Sequence, residues 1–467
     1  MKLSRRTLLG VGGCLALPAA ASGREPSLAP ELSGWIAETM QAENAPGLAA
    51  VVVRGGTALA LFTHGRASLG YDAPVSGETL FHVGSIGKHI TAVAALRLVE
   101  AGKLSLDDPV GRHAPALPAH LADRPFRTLL NHTSGFPNYA ERIEWDRPFG
   151  RTKFFDLIRS YPAEFPAGTA WSYSNSAYVL IGYIIEDLAG KNYARIVMDD
   201  LFRPHGLRNG RVDDAGTPVP LRAEPYTWEK ERYVHAVRMS GEVSSVAAGG
   251  ILMSMRDVAP WVQALHRGSM LSPSRMAAMT TPVRLHTGRE IPYGFGWMLD
   301  RMPDRSPLLY HGGSVPGFRA MHIHIPRHDL SVLVAANSDT QAPGIVGWRL
   351  AEHFAPGSTP LSLAPIPDAA PTLTRAARAI VTRSAAVLEP AGFAPELALH
   401  LIAGREDIVP RLPVGQTNAL GEFGLVQEDP LGDGARRRRY RARFPGYVRH
   451  IDFHHLEDGR IYFVRIQ

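Results

Sequence analysis

Cysteine is almost absent from this sequence, since Cys14 is the only one among 467 residues. Cys14 lies in the N-terminal segment, so the rest of the chain has no thiol for a disulfide, a thiolate metal site or a nucleophile. Long hydrophobic runs are also missing. The apolar stretch at residues 7–18 is too short to span a bilayer as a permanent helix, and we therefore expect no transmembrane span.

A strong excess of one charge is absent as well. The chain has 50 Lys and Arg against 44 Asp and Glu, a formal charge of +6. Loss of the first 22 residues would remove Lys2, Arg5 and Arg6 and leave 47 basic residues, a formal charge of +3. Such a small excess argues against a nucleic-acid partner. The content of 45% hydrophobic and 20% charged residues is typical of a soluble globular protein.

The first 22 residues have the organisation of an export signal. A basic start, an apolar run and small residues at Ala19 and Ala21 predict a cleaved secretory signal, and the Ser-Arg-Arg at residues 4–6 predicts the twin-arginine type. We therefore expect a periplasmic or extracellular protein. A lipid anchor at Cys14 fits less well, because the apolar run continues past it to Leu17, as in an unmodified signal.

Hydrophobic patterns place strands at both ends of the main part of the chain and helices between them. The longest helical patterns are at residues 81–102 and 176–189. This order predicts an α+β fold, in which one antiparallel sheet is assembled from both ends around an inserted helical region, with a cleft between the two parts. The predicted strands are at residues 48–53, 58–62, 294–299, 319–325 and 330–336.

A proline-rich stretch divides the chain near residue 356. Its composition predicts an extended linker. Helical patterns and then strand patterns follow it, which predicts a small C-terminal α+β domain without a catalytic constellation. The predicted units are the export signal at 1–22, the main domain at 23–355, the linker at 356–372 and the small domain at 373–467. In the small domain, helices are predicted at 375–388 and 395–403, and strands at 440–444, 448–453 and 461–466.

Residues 81–102, FHVGSIGKHITAVAALRLVEAG, predict a buried helix with a reactive first turn. Residues 90–99 are nearly all apolar or small, as in a helix packed on all sides. Ser85 and Lys88 are three residues apart and share a face. Burial and the positive end of the helix dipole both lower a lysine pKa, so Lys88 could accept the proton of Ser85. The alternative is a capping serine beside a lysine that reaches solvent.

Two further motifs could contribute to the same chemistry. Tyr173 and Asn175 precede the helix predicted from residue 176, where a tyrosine can act as a base and an amide can hold both a lysine and a substrate carbonyl. His311 and Gly313 follow a short apolar run, and glycines there let backbone N–H groups approach a substrate oxyanion. Taken singly, the motif at Tyr173 and Asn175 is also compatible with a capped turn, and the motif at His311 and Gly313 with a turn or bulge.

The three motifs, in this order and context, resemble those of the penicillin-recognising serine hydrolases. More narrowly, the sequence resembles the class C β-lactamase-like group, which includes D-alanyl-D-alanine carboxypeptidases, D-aminopeptidases and esterases. The resemblance covers residues 30–355. The supporting phrases are LLNHTSG at residues 129–135, FPAG at 165–168 and AGG at 248–250, with Ser254 and Asp257 after them.

This resemblance implies an acyl-enzyme mechanism on a β-lactamase-like antiparallel sheet. Ser85 would attack a carbonyl carbon, and Lys88 and Tyr173 would share its proton. The N–H groups of Ser85 and Ser314 would form the oxyanion hole. Asn175 would orient the substrate, and Tyr173 would then help water to release the acyl group. No metal or organic cofactor is expected, and the expected partner is a small-molecule ester, amide or peptide substrate.

The third motif departs from the lactamase pattern. Many β-lactamases carry Lys-Thr-Gly where this chain has His311-Gly312-Gly313, so the lysine charge and the threonine hydroxyl that bind a substrate carboxylate are missing. We therefore expect an exported serine hydrolase that acts on an ester, an amide or a D-amino-acid peptide. The alternatives are a true β-lactamase or D-Ala-D-Ala carboxypeptidase, and a catalytically silent protein that binds cell-wall peptides.

Other polar groups are predicted to have structural roles. His322 and His324 alternate along a strand without a further ligand nearby in sequence, which favours a solvent-facing sheet surface over a metal site. The four arginines at residues 436–439 are interpreted as a solvated strand edge that blocks further pairing. His132 is expected to shape a loop near the site. The Gly-x-Ser-x-Gly motif is absent around Ser85, which disfavours an ordinary α/β-hydrolase.

Overall fold

The computed structural model describes most of the chain beyond residue 29. The predicted export signal, with Cys14, lies outside the described residues, and so does most of the helix predicted at 395–403. The helix predicted at 375–388 is described only as far as residue 382. The described residues are 30–139, 143–147, 149–213, 217–239, 246–382, 390–395, 397, 419–432 and 434–466.

Helices in the described residues are mostly short, and none of them is both long and apolar enough to cross a membrane. A π-helical segment, Ile196–Phe202, continues α7. The helices are α1 (Pro30–Ala42), α2 (Gly87–Glu100), α3 (Ala119–Ala122), α4 (Phe126–Leu130), α5 (Arg151–Arg159), α6 (Asn175–Ala189), α7 (Tyr193–Arg195), α8 (Val246–Gly249), α9 (Met255–His266), α10 (Pro273–Met279), α11 (Ala342–Phe354) and α12 (Pro371–Thr382).

Strands occur at both ends of the described chain, with shorter ones between. They are β1 (Gly47–Arg54), β2 (Thr57–Ser68), β3 (Ala73–Pro74), β4 (Phe81–His82), β5 (Arg211–Val212), β6 (Tyr226–Glu229), β7 (Arg232–His235), β8 (Ile251–Met253), β9 (Val283–Arg284), β10 (Glu290–Ile291), β11 (Met298–Arg301), β12 (Pro307–Val315), β13 (Phe318–Ile325), β14 (Leu330–Ala336), β15 (Phe423–Pro430), β16 (Arg436–Phe444), β17 (Tyr447–His455) and β18 (Ile461–Ile466).

The main sheet has seven strands in the order β11-β12-β13-β14-β1-β2-β3, and each neighbouring pair is antiparallel. Its central contact joins β1 to β14, with Leu48 opposite Ala336 and Arg54 opposite Leu330. Helices α2 to α10 are inserted between β3 and β11. The prediction of one antiparallel sheet built from both ends around a helical region is confirmed.

Strand β1 is buried on both faces, which explains its continuous apolar sequence. Successive side chains of a strand point to opposite faces. Ala49 and Val51 accordingly belong to the core that contains α2, whereas Leu48 and Val52 belong to the core that contains α1 and α11. Helices therefore cover both sides of the sheet, and the predicted catalytic motifs lie on the α2 side.

The predicted helix at residues 81–102 is divided in the structure. Strand β4 is followed by a 3-10 turn, Gly84–Ile86, and α2 begins only at Gly87. Gly84 has a φ of +54°, a left-handed conformation that a right-handed helix cannot include. Ser85 thus lies on a tight turn ahead of α2. Every residue from Gly87 to Leu96 is buried, which confirms a helix packed on all sides.

Strands near the third motif differ from the prediction. Strand β11 begins at Met298, four residues later than the strand predicted from residue 294. Strand β12 was not predicted as a strand, and the sequence indicates only the short apolar run at 308–310. The glycines at 312 and 313 interrupt the apolar alternation within β12. Pairing with β13, in which His311 lies opposite His322, nevertheless extends the strand through them.

A second antiparallel sheet, β15-β16-β17-β18, forms the C-terminal part of the described chain, with α12 against it. Strand β15 was missed because its apolar residues are confined to its first half and a polar run at 427–429 follows them. The interpretation of residues 436–439 as a solvated edge is wrong. Strand β16 pairs with β15 on one side and β17 on the other, and Arg437, Arg438 and Arg439 are buried.

A buried ion cluster joins the two sheets. Asp300 on β11 accepts hydrogen bonds of 2.5 Å from Arg437 and from Arg439. Arg439 also donates to Asp452 at 2.7 Å, and Arg465 donates to the backbone carbonyl of Leu299 at 2.8 Å. Burial alone would raise the pKa of Asp300, but Arg439, Arg465 and Arg437 together hold it well below its usual range.

We expect Asp300→Asn to destabilise the protein by about 3–5 kcal/mol, because the change leaves buried arginines without their shared carboxylate. Urea unfolding followed by fluorescence measures the loss. Asp304→Asn is the matched control, since Asp304 is an exposed partner of Arg327 and its loss should hardly move the midpoint. Equal midpoints for the Asp300 variant and the unmodified protein would show that the cluster does not stabilise the fold.

Candidate active site

The first and third predicted motifs meet at the 3-10 turn. A Cβ atom at Gly84 would lie 2.6 Å from the backbone nitrogen of Ser314, and a Cβ atom at Gly313 would overlap the carbonyl oxygen of Val83. Real side chains do not tolerate such contacts, so glycine is required on both sides. The edge of β12 is therefore packed directly against the turn that carries Ser85.

Lys88 connects the first and second motifs. Its amine is buried, with Nζ 3.2 Å from Oγ of Ser85. Nζ also donates to Oδ1 of Asn175 at 2.9 Å and to the carbonyl oxygen of Ala248 at 2.6 Å. The structure thus brings together Ser85, Lys88 and Asn175. Ala248 was noted in the sequence only as part of a supporting phrase, and its carbonyl contact was not predicted.

The environment of Lys88 favours the uncharged amine. Burial lowers its pKa well below the ordinary value of 10.5. In the described part of the chain, Lys88 forms no ion pair with an acidic side chain that would restore the charge. Its alternative interpretation as a lysine that reaches solvent is therefore wrong, because the whole side chain is enclosed.

Tyr173 lies beside the same amine. Lys88 Nζ is 4.8 Å from the centre of the tyrosine ring. Burial raises the pKa of the phenol well above its usual value, and its proximity to Ser85 offsets this only in part. The contact of the hydroxyl with Ser85 does not have the geometry of a hydrogen bond. Tyr173 is therefore a neutral phenol beside a lysine that favours its neutral form.

Helix α6 begins at the second motif because Ser174 caps it. Ser174 has extended backbone angles, and its side chain accepts a hydrogen bond from the N–H of Ala177. The capping interpretation of this motif is thus correct for Ser174. Asn175, the next residue, turns its amide oxygen to Lys88, while its own N–H donates to Oδ1 of Asn138 at 3.2 Å.

His311 belongs to a chain of neutral side chains. His132 accepts the N–H of Ser174 at Nδ1, so its Nε2 carries the proton and donates to the hydroxyl of Tyr293 at 3.2 Å. Tyr293 then donates to Nε2 of His311 at 3.1 Å, and Nδ1 of His311 donates to the carbonyl oxygen of Gly312 at 2.7 Å. Each donor has one acceptor, which fixes both histidine tautomers.

The hydrogen bonds of this chain decide what His311 can offer a ligand. Burial lowers its pKa to about 4, so the ring is neutral at pH 7. Both ring nitrogens are already used, one by Tyr293 and one by Gly312. His311 therefore has neither a charge nor a free donor for a substrate carboxylate. Tyr293 was missed, since nothing in its sequence context distinguishes it from a core tyrosine.

The prediction that His322 and His324 face solvent is wrong. Both are buried, because α2 and α9 cover this face of β13. His89 of α2 stacks on Trp297 with ring centres 3.6 Å apart and lies 5.5 Å from His322. His266 of α9 stacks on His324 at 3.6 Å. Among the described residues, no group of histidine, cysteine, aspartate or glutamate side chains has the arrangement of a metal site.

Ser85 and Tyr173 open into a cleft of about 760 Å³. Its walls come from β12, from α11 and, unexpectedly, from the tip of the hairpin formed by β16 and β17. A larger cavity of about 1020 Å³ lies where the two sheets meet, and its lining includes Asp300, Arg437 and His266 but none of the predicted site residues. The smaller cleft is therefore the candidate active site.

Comparison with known proteins identifies the class to which this fold and site belong. The chain is a serine hydrolase of the β-lactamase-like type. The model of the Beta-lactamase family matches residues 32–355, and the chain belongs to that family.

Relatives agree with this family assignment, and a solved structure agrees with the fold. Penicillin-binding protein 4* of Bacillus subtilis is 28% identical over 331 residues, which cover 65% of this chain and 71% of that protein. Esterase EstB of Burkholderia gladioli is 33% identical over 211 residues, which cover 41% of this chain and 53% of that protein. The octameric penicillin-binding protein homologue from Pyrococcus abyssi has a TM-score of 0.63 at 22% identity and covers 94% of this chain and 97% of its own, which shows a shared fold.

The buried histidines predict a loss of stability in mild acid. Burial lowers the pKa of His322 to about 3 and that of His266 to about 4. A depressed folded-state pKa contributes stability above the unfolded value of about 6.5, and this contribution is lost as pH falls from 6.5 toward about 3. The melting temperature should therefore fall steeply over that interval.

His322→Leu is the variant that checks this cause. Neither ring nitrogen of His322 has a hydrogen-bond partner in the described structure, so leucine removes a titrating group without breaking a bond. The pH dependence of the melting temperature should become shallower in the variant. An unchanged slope would mean that other groups control acid unfolding.

Proposed function

We propose that this protein is an exported hydrolase in which Ser85 forms an acyl-enzyme with ester or amide substrates, of the esterase or D-amino-acid-peptidase type. The observation that carries the proposal is the buried amine of Lys88, 3.2 Å from the Ser85 hydroxyl oxygen. A lysine kept for structure would pair with a carboxylate or reach water, and in the described residues Lys88 does neither.

Lys88 acts in this proposal as the base that activates Ser85. A neutral amine has two N–H groups and one lone pair. The oxygens of Asn175 and Ala248 can only accept, so they occupy the two N–H groups. The lone pair is then left for the hydroxyl proton of Ser85, which transfers to Nζ as Oγ attacks the substrate carbonyl.

Tyr173 acts as the proton donor to the leaving group. Its raised pKa keeps the phenolic proton in place until a stronger base forms, which is the alkoxide oxygen or anionic nitrogen that develops on the leaving group as its bond to the carbonyl carbon breaks. The ammonium of Lys88 then returns a proton to the phenolate. In the second half of the reaction the protons move in the opposite direction. Tyr173, once its own proton has passed to Lys88, accepts a proton from the water that hydrolyses the acyl-enzyme.

The oxyanion in this mechanism is held by the backbone N–H groups of Ser85 and Ser314. Packing of β12 against the turn brings the Ser314 amide next to Gly84, the residue that precedes Ser85. Donors fixed by the backbone need no reorganisation when charge develops on the carbonyl oxygen, which is why such sites lower the barrier. Asn175, already bound to Lys88, orients the substrate beside them.

The substrate class follows from the third motif. His311 is neutral and both its nitrogens are used, so this position lacks the positive charge with which a Lys-Thr-Gly motif binds the carboxylate of a β-lactam. We therefore favour esters and amides over penicillins, and similarity to an esterase supports this choice. Turnover of a chromogenic cephalosporin at the rate of an ester would instead favour a β-lactamase.

Export is part of the proposal and rests on the twin-arginine pattern of residues 4–6, with cleavage near residue 22. Fractionation of cells that produce the full chain would check it, and retention in the cytoplasm would contradict it.

Ser85→Ala should reduce hydrolysis of p-nitrophenyl acetate by at least about 1,000-fold, because it removes the attacking oxygen. Ser160→Ala, an exposed serine outside the cleft, is the matched control and should retain full activity. Intact mass spectrometry after treatment with a fluorophosphonate should show one adduct in the unmodified protein and none in the Ser85 variant. Equal rates for the Ser85 variant and the unmodified protein would exclude Ser85 as the nucleophile.

Lys88→Arg should reduce kcat/KM by about 100- to 10,000-fold even though the positive charge is retained, because a guanidinium does not give up its proton. Lys103→Arg, at an exposed position, is the matched control. In the unmodified enzyme, kcat/KM should rise with pH as Lys88 loses its proton, at a pH well below the ordinary lysine value. An active Lys88→Arg enzyme would contradict the role of Lys88 as base.

A further inference from the structure

The C-terminal sheet contributes one wall of the cleft that contains Ser85. Strands β16 and β17 join through a two-residue turn, in which Phe444 lies opposite Tyr447 and Gly446 has a φ of +83°. Residues 443, 444 and 446–449 of this hairpin line the cleft. They lie outside residues 32–355, which match the family model. This wall therefore comes from outside the part of the chain that the family model matches.

The hairpin tip is held in place against the main domain. Arg449 donates a 2.6 Å hydrogen bond to the side-chain oxygen of Gln341, immediately before α11. The N–H of Gln341 in turn donates to the carboxylate of Glu43 at 3.3 Å. Within the tip, the rings of Phe444 and Tyr447 stack with centres 5.0 Å apart. Arg449 thus anchors the β17 side of the turn to the main domain, and the stacked rings join the two strands of the tip.

Positive charge predominates in the lining of the cleft. Among the described lining residues no aspartate or glutamate is present, and His311 is neutral at pH 7. The arginines in the lining are Arg319, Arg349, Arg443 and Arg449.

Three of these arginines have partners nearby, and one does not. Arg319 pairs with Asp339 at 2.6 Å and Arg443 pairs with Glu422 at 3.1 Å, while Arg449 is held by Gln341. Arg349 on α11 is exposed to the cleft and has no acidic partner in the described structure. Its guanidinium lies 5.0 Å from the centre of the Trp35 ring. Stacking on an indole leaves the N–H edge of a guanidinium free to bind a carboxylate with two hydrogen bonds.

We propose that α11 and the hairpin tip form a subsite for a negatively charged group at the end of the substrate away from the bond that is cut. Arg349 supplies the free charge and Arg443 supplies a second donor, which Glu422 shares. The hairpin closes the subsite from the side opposite α11. This inference rests on the proposed function and adds a substrate class to it, namely esters or amides that carry a remote carboxylate.

Two substrates that differ only in this charge test the proposal. One is the mono-p-nitrophenyl ester of adipic acid, which carries a free carboxylate, and the other is its methyl ester, which is neutral. The unmodified enzyme should show a kcat/KM at least about tenfold higher for the charged ester, because a charge-assisted hydrogen bond contributes about that factor. Added salt should reduce the preference. Equal rates, or a preference for the neutral ester, would overturn the subsite.

Variants assign the preference to residues. Arg349→Gln should bring the ratio of kcat/KM for the charged ester to kcat/KM for the neutral ester close to one. The double variant with Arg349→Gln and Arg443→Gln should have a smaller preference for the charged ester than Arg349→Gln alone. This comparison tests the contribution of the hairpin. Arg436→Gln, an exposed arginine on the same strand but outside the cleft, is the matched control. An effect of Arg349→Gln without any effect of Arg443→Gln would exclude the hairpin from the subsite.

A binding measurement separates failure of the subsite from failure of the proposed chemistry. Calorimetry of adipate with the Ser85→Ala variant needs no turnover. Binding that weakens about tenfold on adding Arg349→Gln would support the subsite even if neither ester were hydrolysed. Hydrolysis of both esters at one rate, without adipate binding, would leave the acyl-enzyme mechanism standing and refute the subsite.

Discussion

Burial of one lysine amine without a carboxylate is the constraint on which the site depends. Lys88 is enclosed because α2 is packed on all sides and because glycine lets other backbone segments approach it. A Cβ atom at Gly249 would lie 2.9 Å from the carbonyl group of Gly84, and one at Gly296 would lie 2.9 Å from the carbonyl group of Lys88 itself. Larger residues at these positions would separate the segments and admit water to the amine.

The parts of the fold and site that could be predicted from sequence are those set by neighbouring residues. The apolar composition of α2, the hairpin of β1 and β2, and strands β13 and β14 follow from local periodicity. Ser85, Lys88, Tyr173 and Asn175 belong to short motifs, and the structure brings them together around one amine. The turn ahead of α2 was harder to predict, because a glycine indicates conformational freedom but not which conformation the backbone adopts.

The parts that could not be predicted depend on partners far away in the chain. Arg437 and Arg439 have the composition of a surface edge, yet they are buried because Asp300, 137 residues from Arg437, lies opposite them. The sequence shows a histidine at position 311 but not that both of its ring nitrogens are bound, one by Tyr293 and one by Gly312. Local sequence gives the type of a side chain but not which of its hydrogen bonds are already used.

The position of β1 between β2 and β14 also has a consequence for how the chain folds. On the ribosome, β1 and β2 emerge early, but the other edge of β1 stays unpaired until synthesis has passed Ala336. The nascent chain thus carries an almost wholly apolar strand with one open edge for most of its synthesis, a state prone to pairing with other chains. Contacts between distant segments also form slowly. Production of this protein should accordingly depend on chaperones that shield β1 until β14 arrives.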